Sequence, residues 1–269
     1  MKIGDFEFPL GKRTYIMGIL NITPDSFSDG GVHDSIEKAV SRAFEMVAEG
    51  ADIIDVGGES TRPDHVPVSE SEELARVIPV LEALAARGLP VPVSIDTYKA
   101  AVAEAALSAG AALVNDIWGF KKDPDIARVC AKHGVPCCLM HNRENTDYTD
   151  FLNDMLGDLR ESVEIALSAG VSPERIIVDP GIGFAKTYEQ NLFVMRNLSK
   201  LSALGYPVLL GASRKRMIGY ALDLPVDQRL EGTLAASVIG VTQRCDFIRV
   251  HDVLANKRAC TMADKIVRG

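Results

Sequence analysis

Six times along this chain a helical stretch gives way to a β run through a glycine, in EGADIIDV, ARGLPVPVSID, SAGAALVND, KHGVPCCLMH, SAGVSPERIIVD and ALGYPVLLGAS. Glycine adopts the left-handed conformation that ends a helix, so Gly50, Gly88, Gly110, Gly134, Gly170 and Gly205 read as C-caps. Between these joins, short runs rich in Val, Ile and Leu alternate with longer segments whose apolar residues recur at three and four. This is the βαβα pattern of a parallel sheet covered by helices. Eight β runs are expected, near 15–21, 51–56, 92–96, 112–116, 136–141, 175–179, 207–212 and 246–251, with helices such as 36–49, 72–86, 99–109 and 151–169 after them. Eight such units in 269 residues predict an α/β fold. Its form is a closed (β/α)8 TIM barrel, a single domain over 1–269, with a short N-terminal β-hairpin cap at 3–10 closing the bottom. An open doubly wound sheet is the alternative, but no G-x-G-x-x-G follows the first β run.

Where each apolar run stops, a polar residue stands: Asn21, Asp55, Asp96, Asn115 with Asp116, His141, Asp179, Ser213, and Arg249 with His251. In a parallel barrel the strand C-termini and the loops after them build the active site. One Asx residue after a strand is as readily an ordinary helix cap. All eight ends in register read as the working face of an enzyme. Two loops on that face are long and polar, TPDSFSDGGVHDS at 23–35 and GGESTRPDHVPVSES at 57–71. They read as lids that order only over bound ligand, with Phe27 to cover it. Arg62, Lys215, Arg249 and His251 gather positive groups there, which suits an anionic group such as a phosphate. No G-x-x-x-x-G-K-[ST] occurs, so loops and helix N-termini would hold that group.

The acidic balance, 29 Lys and Arg against 37 Asp and Glu for a formal charge of −8, excludes a generic nucleic-acid binder and a polybasic membrane binder. Five cysteines, Cys130, Cys137, Cys138, Cys245 and Cys260, form an odd set without C-x-x-C spacing. Neither a disulfide framework nor a zinc site is expected, and the compartment reads as reducing. Asp5, Glu7, Lys12 and Arg13 stand where a signal peptide needs an apolar core, and no apolar run approaches the roughly 20 residues of a membrane helix. The chain is therefore expected in the cytoplasm.

The stretches GILNITPDSFSDGG, DVGGESTRP, SIDT, VNDI, DPGIGF, GASRK and RVHD, at successive strand ends, closely resemble the dihydropteroate synthase family of folate biosynthesis. The match spans almost the whole barrel. The resemblance implies a transferase, a target of sulfonamides, that joins 4-aminobenzoate to 6-hydroxymethyl-7,8-dihydropterin pyrophosphate, with Mg2+ assisting and usually as a homodimer. It further implies that Asp96, Asn115, Asp179 and Lys215 line a pterin pocket, with Arg249 against the ring and Met140 and Phe184 as apolar walls. Asn21, Arg62, Arg249 and His251 would meet the pyrophosphate, with Asn21 and Asp29 serving Mg2+. Phe27, Pro63 and the start of the helix after Lys215 would hold the arylamine, with Thr61 and Ser213 among the substrate contacts.

These residue types suit that chemistry. A pterin presents a guanidine-like edge of N–H donors, which the Asp179 carboxylate can accept in pairs, while Asn115 both donates and accepts. Loss of pyrophosphate from a methylene on an electron-rich ring leaves a delocalised cation, so the protein needs no nucleophile; Asp96 is placed to stabilise the growing positive charge. Two places depart from the family pattern. Asn142–Arg143–Glu144–Asn145 follows Met140–His141 where another Met and a Gly-containing turn are common, and Arg216 follows Lys215 where Ser is common. Arg216 either pairs with the aminobenzoate carboxylate or points to solvent while backbone N–H groups bind it. The rival readings are a pterin-binding methyltransferase barrel serving a corrinoid partner, a Schiff-base aldolase using Lys215, and a barrel that only binds.

Overall fold

The structure is a computed structural model that describes residues 1–22, 31–59 and 67–269, with side chains described from residue 34 in the first helix. Two short antiparallel strands, β1 (Lys2–Ile3) and β2 (Phe6–Glu7), open the chain. Eight parallel strands follow: β3 (Tyr15–Asn21), β4 (Ile53–Gly57), β5 (Val93–Asp96), β6 (Leu113–Asp116), β7 (Cys137–Met140), β8 (Ile176–Asp179), β9 (Leu209–Leu210) and β10 (Phe247–Val250). They pair in the order β8-β7-β6-β5-β4-β3-β10-β9, and a bridge between Val178 and Val208 joins β8 to β9. The sheet thus closes on itself as the alternation predicts. Helices α1 (Gly31–Ala48), α2 (Glu70–Ala86), α3 (Ala100–Ser108), α4 (Asp125–His133), α5 (Phe151–Ser168) and α6 (Tyr188–Arg196) each follow one strand. Both α7 (Arg216–Leu222) and α8 (Leu230–Thr242) follow β9, and α9 (Val253–Val267) follows β10.

All six join glycines have positive φ. At Gly134 (φ 64) the backbone turns left-handed and its N–H closes onto the Ala131 carbonyl, a conformation a Cβ would resist. The strand expected over 207–212 shrinks to Leu209–Leu210: Pro207 has no N–H to give the ladder, although its carbonyl still accepts the Val178 N–H, and at Val208 the carbonyl accepts from both Asp246 and Phe247, a break in regular pairing. The hairpin is shorter than the expected 3–10, yet it does cap the barrel: Ile3 and Phe8 pack on Tyr15, Met17, Ile53, Leu113, Cys138, Ile177, Leu209 and Phe247.

That apolar cluster is the inward face of the strands at their N-terminal ends. The outward face, including Ile16, Leu20, Ile54, Val56, Ile95, Val114 and Ile248, packs under the helices in a separate core. Side chains two apart on a strand share a face. The next inward positions toward the C-terminal ends are therefore Ile19, Asp55, Asp96, Asn115, Met140, Asp179, Gly211 and Arg249. No helix among the described residues is long and apolar enough to cross a membrane.

Candidate active site

Arg249 is the hub of this upper layer. Its Nε donates to Asp55 Oδ2 at 2.5 Å and its Nη2 to Asp96 Oδ2 at 2.6 Å, so one guanidinium bridges two buried carboxylates. Asn115 Nδ2 also donates to Asp55 Oδ2, at 3.1 Å. Burial pushes Asp96 up to about 7, against the pull of Arg249. For Arg249, burial favours the neutral form, but Asp55 and Asp96 outweigh it and hold the guanidinium firmly charged. Asp55 Oδ1 and Ser94 Oγ, neighbours in register on β4 and β5, are buried without a hydrogen-bond partner among the described residues.

Across the barrel, Asp179 Oδ1 accepts the Gly181 N–H at 2.7 Å, and Met140 lies beside Asp179 in register. Burial raises the Asp179 carboxyl, while Lys215 opposes the rise. Burial also draws Lys215 down to about 8, with Asp179 holding the charge on. The Lys215 ammonium donates to the Ile182 carbonyl and sits 4.2 Å from the centre of the Phe184 ring. Its direction is set by Arg214, which takes φ 57, gives its N–H to Thr233 Oγ1 and ties its guanidinium to Asp252. Two inward positions carry no side chain: a Cβ on Gly57 would lie 3.4 Å from Asp96 Cβ, and one on Gly211 3.6 Å from Asp179 Oδ2. The missing side chains leave room for a flat ligand beside both carboxylates.

Ser213 Oγ accepts the His251 backbone N–H at 3.2 Å and lies 2.9 Å from His251 Nδ1. Directing the hydroxyl proton to Nδ1 places the ring proton on Nε2, a donor suited to an anion. Arg216 is exposed at the first position of α7, and Asn21 is half-buried at the end of β3 opposite Gly57. The expectations for Phe27, Asp29, Thr61, Arg62 and Pro63 lie outside the described residues, as does most of the expected lid at 23–35 and 59–69.

Asp116 and His141, also at strand ends, face other tasks. Asp116 accepts the N–H groups of Trp118 and Phe120 at 2.7 and 2.8 Å and so braces its own loop. His141, fully buried and pushed down to about 4 by that burial, lies between Asp158 Oδ2 (2.9 Å) and Lys186 Nζ (2.7 Å). A further buried group stands at the base of the second long loop. Lys99 Nζ donates to Glu59 Oε2 at 2.5 Å and to Glu73, and Tyr98 O–H donates to Glu59 Oε1 at 2.8 Å. Neither Lys186 nor Lys99 is marked by sequence spacing, since the partners are either backbone carbonyls, which carry no sequence signal, or side chains brought from elsewhere: His141 for Lys186, and Glu59 and Glu73 for Lys99. The one available signal was that each follows a strand end closely, Lys186 in DPGIGFAK and Lys99 in SIDTYK.

The family model described as pterin binding enzyme matches residues 17–251. The chain is 62% identical to the dihydropteroate synthase of Clostridium beijerinckii over the full length of both, and 57% identical to that of Bacillus subtilis, over 95% of this chain and 90% of that one. The crystal structure of the Clostridium difficile dihydropteroate synthase in the presence of pteroic acid superposes with a TM-score of 0.95 at 51% identity, covering 98% of this chain and all of that one. The Xanthomonas albilineans enzyme with 4-aminobenzoic acid does so with a TM-score of 0.90 at 40% identity, covering 95% and 94%. The chain belongs to the pterin-binding enzyme family, among the dihydropteroate synthases.

Proposed function

We propose that the upper layer binds 6-hydroxymethyl-7,8-dihydropterin pyrophosphate and 4-aminobenzoate and joins them into 7,8-dihydropteroate, releasing pyrophosphate. The observation that carries this reading is the floor itself: two buried carboxylates and an amide set round one guanidinium, with a third carboxylate facing an ammonium and two side-chain-free positions between. Asp179 accepts the N–H edge of the pterin, Asn115 takes the mixed edge, and Arg249 lies on the ring, a cation–π contact worth about 0.5–2 kcal/mol. Met140 and Phe184 supply apolar walls. Lys215 opposes the rise that burial imposes on the Asp179 carboxyl and donates to the ring.

The methylene C–O bond breaks with its electron pair leaving on pyrophosphate, and the cation spreads over the dihydropterin. Asp96, buried beside the ring, stabilises that charge; Arg62 and His251 Nε2 stabilise the leaving group. The arylamine lone pair then forms the C–N bond, and the nitrogen loses its proton. Phe27, Pro63, Thr61 and Ser213 serve the arylamine and its neighbourhood, as the family resemblance implies, while Arg216, which departs from the family pattern, either pairs with the aminobenzoate carboxylate or points to solvent while backbone N–H groups bind it. Mg2+ fits the donor chemistry at the end of β3, where the half-buried Asn21 offers a neutral oxygen, with Asp29 as the carboxylate. Bound there, the ion would neutralise pyrophosphate charge. A homodimer is supported by apolar side chains left exposed on the last helices, among them Tyr220, Leu222, Ile239, Leu254, Met262 and Ile266. The cytoplasm remains the proposed compartment.

Pyrophosphate release from the pterin pyrophosphate with Mg2+, measured with and without 4-aminobenzoate, tests the reading. Release that requires the arylamine is expected. No release, or the same release without it, would contradict the condensation.

A further inference from the structure

Lys186 lies beyond the strand end and outside the pocket floor, yet its surroundings are specific. Three acceptors surround its Nζ: His141 Nδ1 at 2.7 Å, the Gly181 carbonyl at 3.0 Å and the Phe184 carbonyl at 3.0 Å. Burial draws the Lys186 ammonium down to about 7; in its charged form it has three donors and no acceptor, so all three acceptors are satisfied and His141 accepts at Nδ1. The ring proton then sits on Nε2 and is given to Asp158 Oδ2 at 2.9 Å. Asp158 is also gripped by Arg143, whose Nε donates to the same Oδ2 at 2.5 Å and whose Nη2 donates to Oδ1 at 3.1 Å. A line of charge-assisted bonds therefore runs from α5 through the end of β7 to segment 181–184.

Glycines let that segment take its observed shape, and the strain falls on the residue just after it. Gly181 has φ 69, and a Cβ there would fall on the His141 carbonyl; Gly183 has φ 85, and a Cβ there would meet the Lys215 stem. Ala185, which does carry a Cβ, is held at φ 44 in the left-handed region. Its carbonyl accepts the Tyr148 O–H at 2.7 Å. Tyr148 follows the divergent 142–145 stretch, and its ring is covered by the Arg143 guanidinium at 4.5 Å. The segment held in this way gives Asp179 its backbone N–H, gives Lys215 its carbonyl acceptor at Ile182, and carries the Phe184 ring.

We propose that Lys186, assisted by Tyr148, is a positioning residue for pterin: it locks segment 181–184 so that Asp179, Phe184 and Lys215 meet the ring in one geometry. The divergent loop after β7 then acts as a brace for the pterin wall. The assignment rests on the pterin reading above.

Lys186→Met removes all three donors at nearly constant length, and Tyr148→Phe removes one hydroxyl while keeping the ring. Calorimetry with 6-hydroxymethylpterin, steady-state KM for each substrate, and hydrogen exchange of 180–187 are measured on both variants and the unaltered protein. In Lys186→Met the pterin affinity should fall about tenfold or more and the pterin KM rise with it, with the 4-aminobenzoate KM within about twofold. Tyr148→Phe should weaken pterin about threefold, with faster exchange confined to 180–187. Pterin affinity within about twofold of the unaltered protein in folded Lys186→Met, or equal losses for both substrates, overturns the assignment. Should Lys186→Met fail to fold, Tyr148→Phe decides, and unchanged affinity there overturns it. An unaltered protein that takes no pterin overturns the functional reading first and this assignment with it.

Discussion

At the N-terminal end of the barrel the inward positions are Tyr15, Met17, Ile53, Leu113, Cys138, Ile177, Leu209 and Phe247; two residues further along the same strands they include Asp55, Asn115, Met140, Asp179, Gly211 and Arg249. Backbone and register are continuous between the layers, so the difference is entirely one of side chains. The lower layer is dry and plugged by Ile3 and Phe8, with Phe8, Tyr15 and Phe247 rings packed at 4.9 to 6.1 Å. Its burial stabilises by about 25 cal/mol per Å2 of apolar surface removed from water. The upper layer buries two carboxylates on one guanidinium and, among the described residues, leaves Asp55 Oδ1 unpartnered, an arrangement that opposes folding. The period of two thus places a binding floor directly on a stabilising one, and a substitution should act on stability or on ligand according to its layer.

Phe247→Ala should have the largest effect on stability, about 3–5 kcal/mol by denaturation, because it opens a cavity in the lower layer. Turnover per folded molecule should hardly change; a loss of pterin affinity as large as the loss of stability would erase the division. Asp179→Asn should do the reverse. An amide turns one acceptor into a donor facing the donors of the ring, at about 3 kcal/mol or more, so calorimetry should show pterin binding weakened at least about a hundredfold in a fully folded protein.

Arg62→Ala and His251→Ala sharpen the comparison within the working face. Each should lower turnover by about 10- to 100-fold, the worth of a charge-assisted bond, while affinity for a pterin without pyrophosphate stays close to normal. Parallel losses in the two assays would make these residues structural. The smallest effect concerns pH. Burial raises Asp96 from 3.8 to about 7 in the folded chain, so the folded state holds this proton more tightly than the unfolded one. The associated stability is present below the unfolded value and is lost as pH rises through about 7. Asp96→Asn has nothing to ionise and should gain on the unaltered protein steadily as pH rises from about 4 to about 7, while turnover falls. Denaturation at a series of pH values checks it, and a gap that narrows with pH would reverse the assigned direction.

Most of the barrel was legible in the sequence because its signals are local. A glycine ends each of five α-helices and the 3-10 turn Leu198–Leu204, and a polar residue ends each apolar run, within a few residues of the element it marks. The site was legible only as far as its members sit at those ends. Asp55 was visible as a strand end, but its sharing of Arg249 with Asp96 depends on residues 194 and 153 positions apart. Lys186 and Lys99 are long cations in polar stretches, ordinary until folding closes carbonyls, His141 or two glutamates round their tips. The short β9 shows a local signal misread, since Pro207 was counted into a run it cannot extend.

Urea denaturation with and without saturating 6-hydroxymethylpterin, run on the unaltered protein, Phe247→Ala and Asp179→Asn together, reads both layers at once, because a ligand that binds only the folded state raises the midpoint. The expected pattern is crossed. Phe247→Ala should unfold earlier yet keep the pterin increment of the unaltered protein, whereas Asp179→Asn should unfold no earlier than the unaltered protein and show no increment. An increment retained by Asp179→Asn, or lost from Phe247→Ala, would contradict the separation of a stabilising floor from a pterin-binding one.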